Sequence, residues 1–164
     1  MVYLMCSLPS LTFGQVPPIS LAEFFDDAKK HLSSKHVKRL ESVDLQNINA
    51  SKARGGLKRA EAMFNEVQHD ISEIRTARRQ NRIPNISRLP KAINNGNPLE
   101  REKHIMKHLW EELDTVEAGK TFTLTEVLVY KLKLQILSRL NSFDTERGAQ
   151  ILESVVNPDI RKEG

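Results

Sequence analysis

His104 and His108 stand four residues apart, about one turn of a helix, so their imidazoles would share a face and could meet one metal ion. Glu111 and Glu112 follow a turn later as further candidate ligands. A zinc peptidase built on this spacing needs a glutamate directly after the first histidine as general base, and Ile105 stands there instead. Catalytic zinc also takes three protein ligands. The pair therefore reads as two histidines on the wet side of an amphipathic helix, with no metal expected. Nucleophilic chemistry has no stronger support. Cys6, the only cysteine, has no histidine near it in sequence and lies in an apolar run, where a thiol usually packs as an inert side chain. Neither Gly-x-Ser-x-Gly nor Ser-x-x-Lys occurs, and Arg54-Gly55-Gly56-Leu57-Lys58 lacks the spacing of a phosphate-cradling loop. The paired acids Asp26-Asp27 and Glu111-Glu112 fall on predicted helix surfaces, where solvated carboxylates are the rule. No enzyme activity, cofactor or small-molecule substrate is expected.

The informative charges are basic. Arg75, Arg78, Arg79, Arg82, Arg88 and Lys91 follow one another with no acid between Glu73 and Glu100. The first four fall on one side of a predicted helix end, where cations also complement the helix dipole. A solvated, dipole-matched terminus would look like this; so would a surface that docks an acidic partner. Arginine favours the second reading, because its planar fork takes carboxylate or phosphate through two parallel bonds. A basic helical module for nucleic acid is the alternative. It lacks the interleaved aromatics on which single-stranded bases stack, since the one Trp, two Tyr and six Phe fall mostly at predicted core positions.

The elements that must position this belt are helices. Ser20-Leu-Ala-Glu23 is a capping box that starts a helix at Leu21, running to about Leu32 with Phe24 and Ala28 inward. Ile19 and Phe24 have the spacing of a hydrophobic staple. A short helix over 35–43 follows. From Leu57 to Gln80, apolar residues recur every three or four positions (Leu57, Ala60, Phe64, Val67, Ile71, Ile74), one stripe of an amphipathic helix stopped by Pro84. Residues 83–97 read as a long loop, either functional or mobile. Asn97-Pro98-Leu99-Glu100 opens the next helix, with Met106, Leu109, Leu113 and Val116 inward and Gly119 as its C-terminal cap. Thr123-Leu-Thr-Glu126 is a second capping box, with Phe122 and Val127 as its staple. The helix that follows, to about Leu140, is leucine-rich, although Tyr130 to Ile136 alternates as a strand would. A last helix is expected from Asp144 through Val155. The fold class is all-α: a compact bundle of about five to six helices in a single domain over 1–164, with an extended segment over 1–19.

Composition bounds the rest. The 164 residues are 39% hydrophobic and 28% charged, the balance of a cored globular chain rather than a disordered or membrane-spanning one. A chain of this length buries enough surface to need no disulfide or metal staple. The net charge of +4 is mildly basic. The apolar start has no basic leader and meets Pro9, so no signal peptide is expected, and no apolar run approaches the ~20 residues of a membrane helix.

Two stretches carry a resemblance. One is Tyr3-Leu-Met-Cys-Ser-Leu-Pro-Ser-Leu-Thr-Phe-Gly14 with Pro17-Pro-Ile-Ser-Leu-Ala-Glu-Phe-Phe25. The other is Asn97-Pro-Leu-Glu-Arg-Glu102, Leu109-Trp-Glu-Glu-Leu113 and Val129-Tyr-Lys-Leu-Lys-Leu-Gln-Ile-Leu-Ser-Arg139. Over residues 3–33 and 97–152 the chain resembles a bacterial family typically encoded with V/A-type (rotary) ATPases and usually taken as a distant relative of the C subunit of the central stalk. The resemblance implies a non-catalytic helical subunit or assembly factor whose partners are other V-type ATPase subunits. It implies a cytoplasmic location, peripheral at the inner face of the membrane through those partners. The basic belt is then the expected docking face.

Overall fold

The computed structural model describes residues 1–45, 57–90, 93 and 97–143. Six helices occur among them: α1 (Val2–Ser7), α2 (Leu21–His31), α3 (Ser34–Ser42), α4 (Leu57–Arg79), α5 (Pro98–Glu117) and α6 (Leu124–Ser142). No strand is found among the described residues. The expected last helix beyond Asp144 lies outside them.

The helix starts follow the local chemistry. At α2, Ser20 Oγ accepts the Glu23 N–H (3.2 Å) and the Glu23 carboxylate accepts the Ser20 N–H (2.7 Å), which closes the box. Asn97 and Glu100 do the same at α5, at 2.8 and 3.1 Å, with Pro98 just inside. Gly119 takes the left-handed conformation (φ +70°) just past α5, as a helix-ending glycine should. The second predicted box is displaced by one residue. Thr123 accepts the Glu126 N–H, but the Glu126 carboxylate takes the N–H of Phe122. Phe122 itself adopts φ +57° and remains 43% exposed, so it does not sit as a buried staple.

Packing is organised around α6. Every residue from Val127 to Leu134 is buried. Helix α5 packs along one side of α6, α2 and α3 cover others, α4 lies against α5, and α1 rests on α2. This enclosure explains the strand-like alternation of 130–136, because its polar residues reach different neighbours. Lys131 Nζ donates to the carbonyls of Leu40 (2.9 Å) and Val43 at the end of α3. Lys133 pairs with Asp114 (2.7 Å) and Glu117 on α5. Gln135 Nε2 donates to Asp44 (2.8 Å), and its amide oxygen accepts the Leu45 N–H (3.1 Å). A helix surrounded on several sides is apolar nearly all round, with polar atoms only where a neighbour can bond them.

Two expectations at the N-terminus are corrected. Residues 1–19 are not extended throughout, since Val2–Ser7 forms a helical turn and a half, buried through Leu4 against α2. Cys6 is exposed rather than packed, because that short helix buries one face only. No described helix is long and apolar enough to cross a membrane.

Candidate docking surface

The arginine belt is built on α4, and the two flanks of that helix do different work. At 100° per residue, Met63, Val67 and Ile74 form the stripe that enters the core. Glu66, Asp70 and Glu73 recur along one side of that stripe, and Ile71, Arg75 and Arg78 along the other.

The acidic flank holds the segment after the helix. Asp70, fully buried, accepts the backbone N–H groups of Ser87 (3.2 Å), Arg88 (2.7 Å) and Leu89 (2.9 Å), together with the Ser87 hydroxyl (3.4 Å). Burial pushes its pKa up, but the donors from Leu89, Arg88 and Ser87 outweigh it and hold the carboxyl below its ordinary value. One turn on, the Glu73 carboxylate receives both ends of the Arg82 guanidinium (2.5 and 2.9 Å) and the Asn85 N–H (3.0 Å). The Arg82 bonds, then the Asn85 bond, lower its pKa to about 2. Arg88 lies between Glu66 on α4 (3.3 Å) and Glu112 on α5 (3.7 Å). The described part of the predicted 83–97 loop is thus a bonded strap.

The belt that runs unbroken in sequence is therefore divided in space. Arg82 and Arg88 are neutralised by acids that precede them on α4 or belong to α5, and Glu112 is paired rather than freely solvated. Lys91 lies outside the described residues. Arg75, Arg78 and Arg79 are exposed at the C-terminal end of α4. Of these, Arg75 and Arg78 border a groove between α4 and α5. It consists of two adjoining depressions of about 230 and 260 Å³ that share Ile71, Arg75, Glu102 and Ile105. Arg101 and Arg139 add to its basic lining, so among the described residues four arginines face one glutamate there, and Glu102 is itself held by Arg139 (2.6 Å).

Sequence reasoning did not find Arg101 or Arg139. Arg101 is flanked by Glu100 and Glu102, and Arg139 ends a leucine-rich helix, so no local charge run marks either. Only the packing of α4 and α6 on α5 brings them beside Arg75.

The histidines do not converge on a ligand. His104 Nδ1 lies 2.7 Å from the Glu100 carbonyl, and no group of three or more His, Cys, Asp or Glu suited to a metal occurs among the described residues.

A family model described as a protein of unknown function (DUF2764) matches residues 65–163, which takes in α5, α6 and most of α4. No curated protein and no solved structure matches the chain.

Proposed function

The chain belongs to the DUF2764 family, and we propose that it is a non-catalytic helical subunit or assembly factor of a V-type (rotary) ATPase, docking to the central stalk. The observation that carries the docking part is the cluster of Arg75, Arg78 and Arg79, exposed at the end of a helix whose next residues are clasped by Glu73 and Asp70. Cations held on a rigid element lose little freedom when a carboxylate-bearing partner arrives. The ATPase part rests on the likeness of residues 3–33 and 97–152 to the family encoded with such ATPases. The location that goes with it is cytoplasmic, at the inner face of the membrane through partner subunits.

The test is affinity capture of the tagged chain from gently solubilised membranes of its own source, with mass spectrometry of what accompanies it. Stoichiometric stalk and catalytic subunits are expected with the wild type. They should be lost with the Arg78→Glu/Arg79→Glu double variant, whose helical circular dichroism should not change. Equal recovery with the variant would overturn the docking assignment. Recovery of nucleic acid instead, through binding that falls steeply with salt, would favour the basic nucleic-acid module.

A further inference from the structure

The α4–α5 groove pairs an apolar floor with a cationic rim. Ile71 is half-buried, and Ile74 and Ile105 are buried beneath the opening. They line the opening from two helices. Arg75 and Arg78 stand on the α4 side and Arg101 on the α5 side. A ligand seated here must bring an apolar stripe and, on its flanks, acceptors for guanidinium groups. An amphipathic helix with acidic flanks has this form: its i, i+3, i+4, i+7 stripe seats on the floor while its carboxylates meet the arginine forks. Among the described residues no aromatic side chain lines the groove, so they offer nothing for a nucleotide base to stack on.

We propose that this groove is the binding site for an acidic amphipathic helical segment of a partner protein. This deepens the docking reading and does not depend on which complex supplies the helix. It also reassigns the belt: Arg75 binds together with Arg101, whereas Arg82 and Arg88 brace the fold. The contacts combine burial of apolar surface with charge-assisted bonds, so neither alone suffices.

The probe is a fluorescently labelled, designed helical peptide with a leucine stripe flanked by glutamates, titrated with the full chain and followed by anisotropy. Two control peptides replace either the glutamates with lysine or the leucines with serine. Binding is expected only for the first peptide. It should weaken more than tenfold in Arg75→Glu/Arg101→Glu and stay unchanged in Lys29→Glu/Lys38→Glu, which carries the same charge change on α2 and α3. Methyl NMR shifts should map to Ile71, Ile74 and Ile105. Equal binding of the serine peptide would reduce the effect to plain charge attraction and overturn the proposal. So would methyl shifts elsewhere, or self-association of the chain that excludes the peptide. Capture from membranes separates the two readings. Undiminished ATPase recovery with Arg75→Glu/Arg101→Glu would overturn the groove as the docking site and leave the complex standing. Groove-dependent peptide binding by a chain that recovers no ATPase subunit would overturn the complex and leave the groove standing.

Discussion

The carboxylate of Asp70, buried on α4, accepts the backbone N–H of Leu89, nineteen positions further along the chain, at 2.9 Å. With the N–H of Arg88 at 2.7 Å and that of Ser87 at 3.2 Å, it turns a proline-flanked connection into a strap fixed across one flank of the helix. The strap then places Arg88 between Glu66 and Glu112, tying α4 to α5. The relative position of α4 and α5, on which the groove depends, is thus held by a buried anion and what it orders.

Asp70→Asn keeps the shape but removes the charge and sets an amide N–H₂ against backbone donors. A loss of about 1–3 kcal/mol is expected, the usual cost of unsatisfied buried donors. The folded pKa of Asp70 is depressed below its ordinary 3.8. Its stabilisation is therefore complete above that value and fades as pH falls through the folded pKa. Thermal melts across the acid range should show wild-type stability falling toward that of the variant. Two curves that stay parallel to the lowest pH would contradict this role.

Lys131 is a buried cation that closes the end of α3 through the carbonyls of Leu40 and Val43. Lys131→Met matches its length without a donor, so two carbonyls lose their partner while the desolvation of the ammonium is relieved. The partial cancellation leaves an expected loss of about 1–2 kcal/mol by urea denaturation. Burial depresses the folded pKa, with Asp44 and Glu41 opposing it. In the window just below the ordinary 10.5 the unfolded chain binds more protons, so this group's contribution makes stability rise with pH there. That contribution should vanish in Lys131→Met, and an identical pH profile for both proteins would refute the assignment.

Phe122 occupies left-handed backbone (φ +57°) at the α5–α6 turn with its ring 43% exposed. A bulky L-residue pays about 1–2 kcal/mol for that conformation, and the burial that opposes this is only partial. Phe122→Gly should raise stability by roughly 0.5–1 kcal/mol, after its larger unfolded-state entropy is counted. A calorimetric melt that moves down instead would show that the ring's packing outweighs the backbone strain.

Helix starts, stops and inward faces are legible in the amino-acid sequence alone. Ser20 with Glu23, Asn97 with Glu100 and Gly119 act within one turn of their own positions, and the stripe of α4 is set by helical period alone. Local bonds and periodicity need no knowledge of the rest of the chain. The exposed end of the belt is legible for the same reason, since it is contiguous in sequence. The all-α class follows from these signals together.

Which arginines face a groove and which are spent on the fold is decided only by tertiary packing. Glu73 reaches Arg82 because the chain reverses after α4, and Arg88 meets Glu112 because α5 returns alongside. Arg101 and Arg139 join Arg75 from two other helices. The helical turn at Val2–Ser7 likewise exists where Leu4 finds a buried seat against α2. A charge's neighbours in sequence set its local helix energetics, but its ion pairs depend on which surfaces the hydrophobic core brings within a few ångströms. That choice is made by the whole chain at once.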